Sequence, residues 1–238
     1  MPLSKNLSLA NRLIAQLPTQ ERSILLAYSE LVELKLNTVL IAAGHEPEHA
    51  YFPMDGFVSV ILPVDGSPDL EIDLVGNEGM FNPSQALGAT ISSFTCLVQG
   101  TGRAFRIQCS AFQQRLGQSP ELRNVLNRYA DVRASHLAQQ VACIHYHSVE
   151  QRLARWLLMT RDRTHSSELF LTHEVLALML GVRRESVTQA ASAFQKAGLI
   201  SYSRGYVMLL DESALLRTAC NCYRVDLRMY ERTLAHAS

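Results

Sequence analysis

The chain has 238 residues and a formal net charge of zero, since 22 basic side chains balance 22 acidic ones. That length is enough for two domains, each with its own apolar core. No apolar run is long enough to cross a bilayer and the chain does not start like a secretion signal, so we expect a cytoplasmic protein with no membrane partner.

The first predicted elements are helical. Residues 8–33 carry leucine and isoleucine at spacings of three and four, which predicts one or two helices interrupted at Pro18. From Val32 to about Phe112 the pattern changes to short alternating segments rich in Val, Ile and Phe, divided by glycines. Many short strands separated by glycine turns predict a β-roll or jelly roll.

A long helix is predicted next, from about residue 120 to residue 146. Its apolar positions recur at alternating spacings of three and four over several turns, as in a coiled coil. Two interpretations remain open: the stripe packs on the β-roll, or it joins two copies of the chain. For the second, the predicted contact residues are Leu122, Val125, Leu126, Tyr129, Val132, His136 and Leu137.

Another helix is predicted to begin near Ser148, where Ser148 and Gln151 have the spacing of a capping box. The predicted organisation is therefore α+β. It has a β-roll domain over residues 1–118, a long connecting dimerisation helix over 119–147 and a C-terminal winged helix-turn-helix over 148–238.

The helix-turn-helix is predicted from the stretch "LTHEVLALMLGVRRESVTQAASAFQKAGLI", residues 171–200. Thr172 is placed to cap a first helix that ends at Gly181, and a second helix runs from Glu185 to Ala197. Ala177, Gly181 and Val187 supply the small residue, the turn glycine and the aliphatic core residue that this motif requires. The predicted buried face comprises Leu176, Leu180, Val182, Ala190, Ala191 and Phe194.

The outward face of the second helix carries polar residues suited to DNA. Arginine matches guanine, glutamine can pair with adenine, and hydroxyls reach phosphates. The following segment, "LISYSRGYVMLLD", predicts a β-hairpin wing with Arg204 at its tip. Predicted base contacts are Arg183, Arg184, Glu185 and Gln189. Predicted phosphate and wing contacts are Thr172, Ser186, Thr188, Ser192, Lys196 and Arg204.

The charge distribution agrees with this division of roles. Up to His147 the chain has 10 basic against 13 acidic residues, and from Ser148 onward it has 12 against 9. No Lys or Arg lies between Lys35 and Arg103, a span that holds eight acids. We therefore expect the C-terminal part, and not the β-roll, to attract a polyanion.

The cysteines show no paired C-x-x-C spacing. Cys220 and Cys222 are two apart, which on a helix would point them to nearly opposite sides, and His145 and His147 would likewise lie on different faces. We therefore expect free buried thiols, with no disulfide, no metal and no cofactor. The five are Cys96, Cys109, Cys143, Cys220 and Cys222.

The stretch "LTHEVLALMLGVRRESVTQAASAFQKAGLISYSRGYVMLLD" resembles the DNA-binding domain of the Crp/Fnr family of bacterial transcription regulators. The upstream segments "AGHEPEHAYFPMDGFVSV" and "IDLVGNEGMF" resemble that family's cyclic-nucleotide-binding β-roll. The resemblance covers roughly residues 20–230 and implies a homodimer that binds near-palindromic double-stranded DNA and contacts RNA polymerase. Arg184 and Glu185 match the Arg-Glu pair that opens the family's recognition helix, whereas Gln189 replaces its later arginine.

The resemblance also implies cyclic AMP as a ligand, but the matching stretch "NEGMFNPSQALGATISSFTCLVQ" has no arginine or lysine to hold a phosphate. We therefore predict a degenerate sensor without tight cyclic-nucleotide binding. A possible effector pocket lies at Glu78, Gly79, Met80 and Phe81. The alternative of a regulator gated by an unidentified small molecule, or by a haem on one of several histidines, stays open; a family-type iron–sulfur cluster is not expected, since no cysteine precedes Cys96.

Functions other than DNA binding are also weighed. No phosphate-binding glycine loop, nucleophile turn or paired-carboxylate arrangement is present, and His45 and His49 lack the spacing of a cupin metal site. We therefore expect no catalytic residues and no enzyme activity. A protein-interaction module that does not bind DNA remains the third hypothesis.

Overall fold

The structure, a computed structural model, describes residues 10–81, 83–164 and 166–234. Its helices are α1 Arg12–Ala15, α2 Thr19–Ala27, α3 Cys109–Gln118, α4 Pro120–Tyr146, α5 Val149–Thr164, α6 His173–Leu180, α7 Arg184–Lys196, α8 Glu212–Thr218 and α9 Cys222–Leu234, with a 3₁₀ turn at Pro83–Leu87. Its strands are β1 Glu30–Leu34, β2 Val39–Ile41, β3 His49–Pro53, β4 Phe57–Leu62, β5 Leu70–Val75, β6 Thr95–Gly100, β7 Gly102–Gln108, β8 Glu168–Phe170, β9 Ile200–Ser203 and β10 Tyr206–Leu209.

The predicted β-roll is confirmed as two facing antiparallel sheets. One sheet has the strand order β1-β7-β3 and the other β2-β6-β4-β5. Aliphatic and aromatic side chains from both sheets, among them Tyr51, Val58 and Val98, fill the space between them, together with Phe81 from the segment after β5. The interior of the roll is therefore an apolar core.

The N-terminal helices are shorter than the sequence predicted. A helix was expected as far as residue 33, but α2 ends at Ala27 and Glu30–Leu34 form β1, paired with β7. The apolar spacing there fits a strand as well as a helix, and pairing with β7 decides the outcome. Residues 8 and 9 of the predicted helix lie outside the described residues.

The long helix is confirmed as α4, capped by the Ser119 hydroxyl, which accepts from the Leu122 amide at 3.1 Å. However, its most apolar stripe faces its own chain. Six of the seven predicted dimer residues are at most 4 % exposed, packed under the β-roll and α9; these are Leu122, Val125, Leu126, Tyr129, Val132 and His136. Because these side chains are already buried, they cannot also form a dimer contact. Only Leu137 keeps part of its surface free.

A second, smaller apolar stripe runs along the free side of α4. It comprises Ala130, Ala134, Leu137, Val141 and Ile144, at alternating spacings of four and three. Val141 is 70 % exposed and Ile144 43 % exposed. We call these five residues the free stripe of α4.

The cysteines are arranged differently from the expectation. Cys222 begins α9, while Cys220 lies before it in the turn after α8, so the two are not on one helix. Likewise His147 is the extended C-cap of α4 and not a helical residue. The expectation that Cys220 and Cys222 point apart is therefore wrong: both meet Cys143 and His147 in one cluster.

The C-terminal domain packs directly on the β-roll. Phe57 and Leu74 of the β-roll share a core with Trp156 of α5 and with the helix-turn-helix, and the Phe57 and Trp156 rings meet edge to face at 6.4 Å. The predicted Ser148–Gln151 capping box is confirmed, with reciprocal hydrogen bonds of 3.1 and 3.3 Å. Within the described part of the chain, no helix is both long and apolar enough to cross a membrane.

Candidate nucleic-acid interface

Helices α6 and α7 form the helix-turn-helix that the sequence predicts. The Thr172 hydroxyl accepts from the Val175 amide at 3.3 Å, and Gly181 ends α6 in the left-handed region at φ 60°. A Cβ at Gly181 would also lie 2.9 Å from a Leu70 methyl group of the β-roll. The left-handed backbone conformation therefore favours glycine in this turn, since the Leu70 side chain is flexible and half-buried and could shift.

The predicted buried face of the two helices is confirmed. Leu176, Leu180, Ala190, Ala191 and Phe194 are at most 4 % exposed, and Val182 is half-buried. Val187, the predicted core residue of α7, is fully buried. This core fixes the rotation of α7 about its own axis and so decides which of its side chains face outward.

All four predicted base-contact residues are exposed: Arg183, Arg184, Glu185 and Gln189. The predicted phosphate contacts Ser192 and Lys196 are exposed on the same side of α7, while Ser186 and Thr172 are half-buried. We call the exposed side of α7 the recognition face. Because it begins at the N-terminal end of α7, it lies where a recognition helix meets base edges.

Two contacts hold this face in position. The Arg184 guanidinium pairs with the Glu174 carboxylate at 2.9 Å, with both side chains about 60 % exposed. The Thr188 hydroxyl lies 3.0 Å from both the Arg184 carbonyl oxygen and His173 Nδ1. Thr188 therefore joins α7 to α6, and because its side chain is exposed its role as a phosphate contact stays a prediction.

Sequence analysis missed three supporting residues in this region. The His173 ring stacks on Tyr202 of β9 with centroids 4.4 Å apart, and the Tyr202 hydroxyl donates to the Leu171 carbonyl. Partial burial and the neighbouring Arg184 charge lower the pKa of His173, which favours its neutral form. His173, Glu174 and Tyr202 carry no motif of their own, so only their contacts reveal their role.

The wing is confirmed as the hairpin β9–β10, to which β8 adds a third strand that the sequence did not predict. Arg204 and Gly205 form its two-residue turn with φ of 50° and 85°. Positive φ at both positions is the geometry of a type I′ turn. The turn projects Arg204, which is exposed, from the tip of the wing.

The predicted effector pocket at Glu78–Phe81 is part of the core. Met80 and Phe81 have no exposed surface, and Tyr129 of α4 donates to the Met80 carbonyl at 3.2 Å. A Cβ at Gly79 would collide with the Tyr129 ring. Glu78 pairs with Arg163 of α5 at 2.7 Å, so this carboxylate ties the β-roll to the C-terminal domain.

A buried charge network continues that junction. Both nitrogens of the His136 ring lie 3.2 Å from a carboxylate, one from Asp73 of β5 and the other from Asp226 of α9. Arg133 also pairs with Asp73, and Arg155 of α5 donates to Asp226 at 2.6 Å. We call these five residues the junction network, since it connects the β-roll, α4, α5 and α9.

The protonation states in the network follow from its geometry. Burial alone would lower the pKa of His136, but Asp73 and Asp226 raise it to about 9. Burial alone would raise the pKa of Asp73, but Arg133 and His136 hold it well below its usual value. The imidazole is therefore cationic between two carboxylates at neutral pH.

Burial also changes the meaning of the charge count. Three arginines of the C-terminal part, Arg152, Arg155 and Arg163, are at most 9 % exposed. The sequence analysis counted their charge toward DNA attraction, but as buried residues they are not available to DNA. The basic groups left at the interface are concentrated at Arg183, Arg184, Lys196 and Arg204.

Residues 151–218 match the family model of the Crp-like helix-turn-helix domain. Among solved structures, the chain is similar to FixK2 from Bradyrhizobium japonicum, with a TM-score of 0.68 and 12% identity over 81% of this chain and 98% of that one. It is similar to CLP, the c-di-GMP-responsive global regulator of Xanthomonas campestris, with a TM-score of 0.66 and 17% identity over 82% and 100% of the two chains.

A third similar structure is TTHA1359, a transcriptional regulator of the Crp/Fnr family from Thermus thermophilus, with a TM-score of 0.66 and 21% identity over 80% of this chain and 98% of that one. No curated protein matches the chain. These similarities span 80–82% of this chain and nearly all of each of the three structures, so they are not confined to the helix-turn-helix. The chain therefore carries a Crp-like helix-turn-helix domain within the Crp/Fnr-type transcription-regulator fold.

Proposed function

We propose that this protein is a homodimeric transcription regulator that recognises a near-palindromic DNA site and whose β-roll binds no cyclic nucleotide. Its working parts are the β-roll over residues 1–118, a dimer helix over 119–147 and a DNA-binding domain over 148–238. The observation that carries the proposal is the contrast between the two sides of α7. One side is an apolar core, and the other presents exposed groups that complement base edges.

Binding to DNA requires little rearrangement of the recognition face. Arg184 must exchange Glu174 for a base or phosphate, and an exposed pair of this kind contributes only about 0–1 kcal/mol. Glu174 would then lie near the duplex, where its carboxylate repels the phosphates. An arginine placed between Glu174 and a phosphate reduces this repulsion. Arg183 and Gln189 have the reach to contact neighbouring bases, and Arg204 contacts the backbone from the wing.

The free stripe of α4 supports a dimer with a second copy of the chain as the partner. Two such helices from two copies could pack with their a and d positions together, since the spacing of Ala130, Ala134, Leu137, Val141 and Ile144 is that of a heptad. Small residues near the start of the stripe allow the helices to approach closely. A two-fold axis there would present the two recognition helices to successive major grooves, about 34 Å apart.

Sedimentation equilibrium tests this contact. We expect the protein to be a dimer and Val141→Asp to be a monomer, because the substitution would bury a charge in the helix pair. Ile91→Asp is the matched control, since Ile91 is also largely exposed but lies in the β-roll. A Val141→Asp protein that remains dimeric would place the dimer contact elsewhere.

The proposal of a sensor without a nucleotide site rests on what fills the β-roll. Its interior is apolar, and Glu78, the one charged residue of the stretch that resembles the nucleotide cassette, is already neutralised by Arg163. A cyclic phosphate placed there would find no basic residue in that stretch, and the neighbouring Arg163 is already paired with Glu78. We expect isothermal titration with cyclic AMP, and with c-di-GMP as a second probe, to show no binding at micromolar concentrations.

Selection of bound sequences from a random DNA pool, with no ligand added, tests the function as a whole. We expect a palindromic motif. Enrichment of a single, non-repeated half-site would contradict the dimer but keep the recognition face. Failure to enrich any sequence would favour the protein-interaction module that does not bind DNA.

A further inference from the structure

Four side chains that can bind metals meet beside the hinge between α4 and α5. Cys143 lies in the last turn of α4, His147 caps that helix, and Cys220 and Cys222 flank the turn that leads into α9. One ligand atom from each residue lies within 4.8 Å of every other. None of the four takes part in the recognition face or the junction network.

The distances within this cluster fit a single ion. The Cys143 and Cys220 sulfurs are 3.5 Å apart, and Cys222 Sγ lies 3.5 Å from His147 Nδ1. Tetrahedral Zn²⁺ with Zn–S bonds of about 2.3 Å and Zn–N bonds of about 2.0 Å places its ligand atoms about 3.5–3.8 Å apart. A cluster of several iron and sulfide ions would need a wider opening than these four atoms leave.

The surroundings also fit a thiolate site. The three cysteines are at most 4 % exposed and form an apolar group of their own, separate from the larger cores. Gln139 donates to Cys222 Sγ at 3.1 Å, as an outer partner of a metal-bound thiolate does. Arg152 and Arg155 line the cavity beside Cys143, so their charge offsets the negative charge that three thiolates would leave on a divalent ion.

We propose that Cys143, His147, Cys220 and Cys222 bind one Zn²⁺ ion as a tetrahedral Cys₃His site. Soft thiolates with one imidazole are the ligand set that zinc prefers in structural sites. Two ligands come from the C-terminal end of α4, next to the hinge between α4 and α5, and two come from the turn before α9 and its first residue. The ion therefore fixes α9 to the hinge and sets the angle at which the DNA-binding domain leaves α4.

The experiment uses the full chain and the metal alone, so its outcome does not depend on DNA binding. The protein is stripped of metal by a chelator under reducing conditions and titrated with Co²⁺, followed by Zn²⁺. We expect one Co²⁺ per chain, with the thiolate charge-transfer band and the intense visible bands of tetrahedral cobalt, and loss of both as Zn²⁺ displaces it. Metal analysis of the protein as purified should also find one zinc per chain.

Two variants and one control separate ligation from general thiol chemistry. Cys220→Ser should abolish the cobalt spectrum, and His147→Gln, at a half-buried position where misfolding is less of a risk, should weaken Co²⁺ affinity at least about tenfold. Cys96→Ser, a buried thiol of the β-roll, should leave the spectrum unchanged. A wild-type protein without these bands, an unaffected Cys220→Ser protein, or a Cys143–Cys220 disulfide in place of bound metal would overturn the proposal.

Discussion

Arginines in two regions of this protein carry the same charge but differ in burial and in pairing. At the junction, Arg133, Arg155 and Arg163 are buried and each faces a carboxylate. On the recognition face and wing, Arg183, Arg184 and Arg204 are exposed. The first group belongs to the buried contacts that link the β-roll, α4, α5 and α9, and the second is available to a polyanion. Charge counted along the sequence cannot separate the two groups, because pairing and exposure depend on the fold.

The largest effect on stability is expected from removing one member of the junction network. Asp226→Ala leaves Arg155 without a carboxylate in a buried site and His136 with only Asp73, so we expect the free energy of unfolding to fall by about 3–5 kcal/mol. Urea denaturation measures the loss. The matched control is Glu212→Ala, which removes an exposed partner of Arg161 and should cost less than about 1 kcal/mol. Equal effects would mean that the junction network does not stabilise the domain contact.

A change of pH should affect the junction in a defined direction. The folded pKa of His136, about 9, lies above its ordinary value of 6.5, so its contribution to stability is complete below pH 6.5 and is lost as pH rises through 9. We expect a loss of a few kcal/mol in unfolding free energy over that window, measured by urea titrations at several pH values.

Glu71 also makes the protein less stable as pH rises, so the pH experiment must separate its contribution from that of His136. Burial raises its pKa to about 8, so its protonated form, next to Trp156, is favoured in the folded state and stability again falls as pH rises. His136→Gln should therefore flatten the pH dependence only in part, and Glu71→Gln should remove a further share. An unchanged slope in the His136→Gln protein would contradict a cationic His136.

On the recognition face, single changes should affect binding and not folding. Arg184→Ala should weaken DNA binding by about 1–3 kcal/mol and relax the preference at one base step, while the unfolding free energy stays within about 0.5 kcal/mol. Fluorescence anisotropy on the selected site and on single-base variants measures both effects. Uniform weakening on every sequence would show that Arg184 contacts phosphate instead of a base.

The smallest effect is expected at the wing. Arg204→Asn removes the charge but keeps a residue that tolerates positive φ, and Asn-Gly is favoured in a type I′ turn. We expect weaker binding to all sequences alike and a salt dependence reduced by about one phosphate contact. Salt titrations of wild-type and variant protein on the same DNA give this slope; a change in sequence preference would contradict the phosphate role.

The helix-turn-helix was predictable from the sequence because its constraints are local. The Thr172 cap, the left-handed Gly181 and the spacing of Ala177 and Val187 act within about twenty residues, so the pattern alone fixes both helices and the exposed side of α7. The Arg204-Gly205 turn is equally local. The order of a β-roll, a long helix and this motif also followed from changes in apolar period along the chain.

The tertiary structure decided everything that depends on residues far apart in the sequence. α4 has two heptad-like stripes, and only its packing shows that the stripe with larger side chains faces the β-roll while the other stays free. His136 lies in that buried stripe as a charged bridge between residues 63 positions before it and 90 after it. Cys143 meets Cys220 across 77 positions. Sequence spacing determines which side of a helix a residue occupies, whereas its partner on that side is set by chain topology.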